Sequence, residues 1–274
     1  MTFNDTKFEV MRYNTSNVML PDPIYYSPSG DQIAIKSSLS DLGVVMINDC
    51  CFSDHLLEVS KKMRSKASWI CRTFTSRSKL VMLTTWKSLV IPLHDYCNQL
   101  WFPYKIKDIQ LLESIQWNYI KKINKVTPDY WSTLRELNLY SLQRRRERYL
   151  IFYVWKVIEG LSPPLVNQSG RETLISQFNL RRGRFCSVDA VKTKCKTAIK
   201  TIRRNSLSVF GANLFNGLPQ RLRNLNNCKF EVFKQKMDSY LSTVPDEPHL
   251  EGYSKYRTGG CLSNSLIDMM KLVT

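Results

Sequence analysis

The stretch LQRRRERYLIFYVWKVIEG, residues 142–160, sets four arginines within five positions and then runs ten residues with a single charge, Lys156, before Glu159. At about 100° per residue, Arg144, Arg148, Ile151 and Trp155 fall along one helical face, and Arg145, Tyr149, Phe152 and Lys156 along the next. The later turns are apolar nearly all round, a pattern that belongs to a helix at the centre of a bundle. Its first turns are expected to emerge from that core, the guanidinium groups reaching water, carboxylates or a phosphate backbone while their stems cover apolar surface. The competing reading pairs these arginines with Glu136, Glu147 and Asp129 as ordinary ion pairs. Gly160 and the Pro163–Pro164 pair end the helix.

Helical patterning continues upstream. In residues 53–74, SDHLLEVSKKMRSKASWICRTF, Ser53 or Asp54 can cap a helix, and Leu56, Val59, Met63, Ala67 and Ile70 recur at helical spacing with lysines and arginines opposite. Residues 76–101 are nearly continuous apolar sequence, and Pro92 predicts an end or a kink there. Ile106, Ile109, Leu112, Ile115, Ile120 and Ile123 form the stripe of a third helix, and TPDYWSTLRELNL, residues 127–139, predicts a short one closed by Asn138. Residues 1–48 read instead as strands and turns. The turn signal SPSG, 27–30, lies between Ile24–Tyr26 and the alternating Ile33 and Ile35, which predicts a hairpin, and a short apolar strand follows Gly43.

Downstream the texture changes. Residues 163–204 hold few apolar side chains and a string of basic ones, which predicts a flexible or strand-poor basic connector. Residues 205–274 carry two further short helices and a tail expected to be loosely held from Asp246. The expected fold is therefore mainly α: a small N-terminal β segment over 1–48, a helical domain over 49–162, the connector over 163–204 and a smaller C-terminal helical segment over 205–274.

Composition narrows the function. With 43% hydrophobic residues, the 274-residue chain can build one large or two modest cores. Lys and Arg number 40 against 23 Asp and Glu, and a formal net charge of +17 favours polyanionic partners, nucleic acid above all. No window reaches the roughly 18 apolar residues of a membrane span, and the N-terminus lacks the apolar region of a secretory signal. The expected setting is intracellular, nucleus or cytoplasm, with no membrane partner. Eight scattered cysteines, none in a C-x2-C pair with histidines at finger spacing, fit reduced thiols without structural zinc. His55 and His94 are expected to serve local backbone. Phosphate-loop, dinucleotide and nucleophile-elbow motifs are missing from the sequence, and the acid pairs lie in turn or tail contexts. No catalytic or metal-binding residue is assigned.

What remains is a basic and aromatic constellation. Its candidate nucleic-acid-binding residues are Lys61, Lys62, Arg64 and Lys66 on the first helix; Arg72, Arg77 and Lys79 at the next junction; the cluster Arg144, Arg145 and Arg148; and Arg181, Arg182 and Arg184. Such side chains hold phosphates without reading bases, giving salt-dependent and sequence-independent affinity. Lys121 and Lys122 extend the set. The tryptophans, Trp69 among them, lie on apolar stripes and are expected in the core.

The order of segments resembles a known family. FNDTKFEVMRY (3–13), LSDLGVVMINDCCFSDHL (39–56), ICRTFTSRS (70–78), WKSLVIPLHDYCNQLW (86–101), LLESIQWNYIKKI (111–123), residues 130–163, FGANLFNGLPQRLRN (210–224) and FKQKMDSYLSTVPDEP (233–248) together look like the C-terminal part of reverse transcriptases of non-LTR, LINE-type, jockey-like retrotransposons. The resemblance covers nearly the whole chain; each motif is loose alone, and their number, order and spacing carry it. It implies an RNA-directed DNA polymerase in which Asn4 and Lys7 match a strand at the end of the palm. Asp41, Leu42 and Gly43 match the strand resembling the primer grip, and the helices from about residue 53 would be thumb and beyond. The family's aspartate pair, which holds two Mg2+ ions, has no counterpart in this sequence, so a chain without those carboxylates is expected to synthesise no DNA alone and to need no cofactor of its own. The function implied is nonspecific binding of RNA, DNA or an RNA/DNA hybrid. Two alternatives stand beside it: a helical module that binds protein through the palm-facing surface at Leu42–Ile47, and a relic of a truncated element.

Overall fold

A computed structural model describes residues 7–13, 23–127, 129–165, 172–181, 183–187, 197–247, 265–271 and 273. The chain divides into two compact units, Met1–Val59 and Ser60–Thr274. It is mainly α-helical, with short strand pairs.

In the first unit, β1 (Val10–Met11) pairs in parallel with β4 (Ile35–Lys36), and β2 (Tyr25–Tyr26) pairs antiparallel with β3 (Gln32–Ile33). The SPSG turn closes the second pair as its sequence predicts: the Gly30 N–H donates to the Ser27 carbonyl at 2.9 Å, with Gly30 at φ +92°, where glycine carries no steric penalty. β5 (Ser38–Asp41) and β6 (Val44–Ile47) make a second antiparallel hairpin. Leu42 and Gly43 form its two-residue turn, both at positive φ (46° and 82°), the twist a tight hairpin favours. Val44 is buried and Val45, Met46 and Ile47 are half-buried, so of the expected palm-facing surface only the turn residues Leu42, 82% exposed, and Gly43 are exposed in this unit. His55, also buried, accepts the Val45 N–H on Nδ1 at 3.2 Å, the local backbone role expected of it.

Helix α1 (Ser53–Thr73) contains the division between the units, and its apolar stripe is buried as its spacing predicts. In the second unit follow α2 (Lys79–Thr85), a π turn over Trp86–Val90, and α3 (Ile91–Asp95). Pro92 accounts for that interruption. It lacks an N–H and its ring would clash with the carbonyl four residues back, so the chain widens one turn before it, the Ile91 N–H reaching the Trp86 carbonyl five residues earlier. Helix α4 (Ile106–Ile120) buries Ile109, Leu112, Ile115 and Ile120. Helix α5 (Tyr130–Leu137) starts at Asp129, whose carboxylate accepts the Ser132 N–H at 2.8 Å, and stops at Asn138 in the left-handed conformation, φ 51°.

Helix α6 (Leu142–Ile158) is the central element its sequence describes. Leu150, Ile151, Phe152, Val154 and Trp155 are all buried, each contributing about 1.5–3 kcal/mol of burial. Trp155 stacks on Phe233 at 4.7 Å between ring centroids and donates its indole N–H to the Leu225 carbonyl at 3.0 Å.

Among its described residues the expected connector is not strand-poor. Residues Ile175–Asn179 and Gly183–Ser187 form an antiparallel hairpin, β7 and β8, and Thr197–Arg204 form helix α7. Leu174 and Cys186 belong to the same core as α6. The hairpin is held by side chains from later in the chain: the Asn216 amide accepts the Cys186 N–H at 2.7 Å and donates to the Cys186 carbonyl at 2.9 Å, and Asn224 accepts the Arg184 N–H at 2.8 Å. A π turn at Leu207–Gly211, α8 (Ala212–Asn216), α9 (Gln220–Arg223) and α10 (Phe230–Leu241) follow, packing Phe215, Leu222, Phe233 and Met237 into that core. The helical stretch before the prolines and the C-terminal segment are thus parts of one unit. The tail is also tied down at both described points. Asp246 accepts the Ser141 N–H at 2.7 Å, and α11 (Leu266–Met270) buries Leu266, Met269 and Met270 in the core. Among the described residues no helix is long and apolar enough to cross a membrane.

Candidate nucleic-acid interface

The candidate basic residues separate by what surrounds them. From Ser60 onward, α1 turns Met63, Ala67 and Ile70 inward, and every residue between them is exposed: Lys61, Lys62, Arg64, Ser65, Lys66, Ser68 and Trp69, with Arg72 one turn further. The helix repeat sorts these into a ridge of Lys61, Ser65 and Arg72 and two flanks. Lys62, Lys66 and Trp69 make one flank, where an open trough of about 600 Å³ is lined by them together with Lys61, Ser65, Arg72 and Leu93. Arg64 and Ser68 make the other, lining with Ile115, Asn118 and Lys122 a smaller groove of about 210 Å³. No described acidic side chain forms an ion pair with Lys61, Lys62, Arg64, Lys66 or Arg72. Five cations on about three turns, exposed and without ion-pair partners among the described residues, make a strip of positive potential that phosphates can follow.

Trp69 is the exposed tryptophan among those that sequence reasoning expected in the core. It is 44% exposed, sits in the basic flank, and carries the Lys66 ammonium 5.2 Å above its ring and the Phe74 ring edge-on at 6.4 Å. The signal was present in its register: Ile70 completes the buried stripe, and Trp69, three residues after Lys66 and three before Arg72, falls on the cationic side. Trp86, Trp101 and Trp155 are buried as expected.

Arg77, Lys79 and Arg184 are engaged with groups of the protein itself. Arg77 donates from its guanidinium to the Cys71 carbonyl at 2.5 Å and to the Phe74 carbonyl, closing the end of α1, and Lys79 donates to the Glu136 carbonyl at 2.8 Å. Arg184 pairs with Glu159 and donates to Ser176. Arg181 is exposed, and Arg182 lies outside the described residues.

Of the arginines of α6, Arg144, Arg146 and Arg148 are buried and Arg145 is half-buried. Arg144 is 0% exposed, donating to the Val244 carbonyl at 3.1 Å and to the Pro245 carbonyl, with Asp246 at 3.7 Å. Arg145 forks onto both Asp95 oxygens, at donor–acceptor distances of 2.7–3.1 Å, and Arg148 pairs with both oxygens of Asp238. Arg146, 1% exposed, lies 5.4 Å from the Phe102 ring centroid, and its burial pulls the guanidinium pKa down to about 10. The physical reason is the polar seat built for the first turn of α6. Glu113 accepts the Leu142 and Gln143 N–H groups at 3.2 and 2.9 Å, and Asp246 takes that of Ser141, so half-buried carboxylates already hold the start of the cluster's helix. The expected partners have other duties: Asp129 caps α5, and Glu147 accepts the Leu266 N–H at 2.6 Å and a Gln143 amide hydrogen at 3.2 Å.

His94 is fully buried, with Nδ1 3.0 Å from Asp95; burial pushes its pKa down. Burial pushes the Asp95 carboxyl up, and hydrogen bonds from His94 and Arg145 outweigh that and hold it below the usual carboxylate range. These groups form a structural ion network. Comparison with family models, with curated proteins and with solved structures found no match to this chain.

Proposed function

We propose that the chain binds nucleic acid without sequence preference, through the exposed face of α1 carrying Lys61, Lys62, Arg64, Lys66 and Arg72. The observation that supports this reading most directly is that these five cations are exposed and lack ion-pair partners among the described residues, on a chain of net charge +17. Lysine and arginine side chains on a helix ridge contact phosphates and displace condensed counterions, and they carry no means of telling one base pair from another. The order of sequence motifs that resembles non-LTR reverse transcriptases gives the interface a place, among the helices beyond the palm that would lie beside a template and primer. In that setting α1 positions the nucleic acid and takes no part in the chemistry.

Fluorescence anisotropy with a labelled RNA/DNA hybrid, titrated at a series of salt concentrations, tests the proposal. Affinity should fall linearly on a log–log scale with salt, and the combined change Lys61→Gln, Lys62→Gln, Arg64→Gln and Lys66→Gln should flatten that slope by up to about one for each phosphate no longer held. Binding that ignores salt, or that the four substitutions leave intact, would overturn it.

A further inference from the structure

We infer that the trough along α1 seats an unpaired base of a single strand on Trp69, so that the preferred nucleic acid is single-stranded. This rests on the nucleic-acid reading above and adds the substrate class. A large aromatic side chain 44% exposed in the middle of a cationic strip has no use in holding a duplex by its backbone, because paired bases keep their faces inside the stack. An unpaired base offers a free face, and stacking on an aromatic ring tolerates every base.

The surroundings of Trp69 fit that use. Lys62 lies seven residues before it, Lys66 three before and Arg72 three after, which spaces the cations at roughly 6–9 Å along the helix at 1.5 Å per residue. They therefore lie on both sides of the indole along the direction a backbone would run. Phe74 braces the ring edge-on at 6.4 Å. The Lys66 ammonium, 5.2 Å from the ring centroid, occupies the place a base would take, and its flexible stem lets it swing to the adjoining phosphate when a base arrives. Leu93 adds an apolar side chain to the lining of the open trough.

The test compares a labelled oligodeoxyadenylate with a blunt duplex containing the same strand, at one low salt concentration, for the wild-type chain and for Trp69→Ala, Trp69→Phe and Lys62→Gln/Arg72→Gln. Trp69→Ala should weaken single-strand binding by about 5-fold or more, the loss of one base stack, and leave duplex binding unchanged. Trp69→Phe should restore most of the loss, and the charge substitutions should weaken both probes. Equal single-strand affinity in Trp69→Ala and wild type overturns the stacking seat while salt-dependent binding of both probes upholds the phosphate-binding face. Absence of binding to either probe by the wild type overturns both. Unchanged thermal unfolding of the variants, expected for a half-exposed side chain, separates these outcomes from misfolding.

Discussion

Glu147 lies in the most charge-dense turn of the chain, beside Arg144 and Arg146, and its carboxyl is nonetheless pushed up to about 7. Full burial is the largest cause, and the hydrogen bond from Leu266 and the nearby Arg144 recover only part of it. Its unfolded value is near 4.5, so the folded state holds a proton that the unfolded state has already released. Stability from this group is therefore full below about pH 4.5 and is lost as pH rises through 7, by up to about 3 kcal/mol. Glu113, also raised by burial, acts in the same direction; fully buried His94, held low, acts in the opposite one up to about pH 6.5, and Asp95, held low, changes its contribution only below about pH 3.8. Denaturant midpoints measured across this range should fall less with rising pH for Glu147→Gln, which cannot ionise, than for the wild type. A parallel decline in both proteins would assign the slope to other groups. The sequence displayed the arginines and their helix plainly. It could not display their partners, because Asp95 and Asp238 stand 50 and 90 positions away and look like turn and surface residues in their own segments.

Elements with a strong period were legible and elements held by others were not. The stripes of α1, α4 and α6, the Pro92 interruption and the Asn138 stop all follow from local spacing and backbone chemistry. The β7–β8 hairpin does not, because its strands alternate weakly and bury little beyond Leu174 and Cys186. Its stability comes from backbone groups met by distant side chains. Gly183 at φ +68° lets the chain pass close to Asn224, where a Cβ would come within 2.6 Å of the amide oxygen, and the Asn216 amide satisfies both polar groups of Cys186. Asn216→Ala would leave a buried N–H and a buried carbonyl without their partner, at about 1–3 kcal/mol each when no water replaces it. Chemical denaturation should show a loss of about 2 kcal/mol or more. An effect within a few tenths would mean that the hairpin is held by its own ladder.

At the scale of the molecule, the charge excess and the core explain different properties. Net charge speaks to partners and says nothing of which segments share a core; here residues before and after the prolines do share one, and the C-terminal α11 completes it. The sequence hid this because α11 is five residues long, too short for a helical period to declare itself, and residues 248–264 before it are polar and glycine-containing. Leu266 is fully buried, Met269 and Met270 nearly so, and Met270 packs so closely on Gly217 that an added Cβ there would meet its Cε at 2.6 Å. Glu147 holds the first N–H of α11, so the same turn that gathers the arginines also anchors the end of the chain. Leu266→Ala should therefore cost about 2–5 kcal/mol, the usual range for emptying a buried leucine site. A loosely held tail predicts almost no cost. Under conditions where the variant stays folded, its affinity for nucleic acid should match the wild type, because the interface cations belong to α1; a joint loss of stability and affinity would place part of the binding surface at the C-terminus instead.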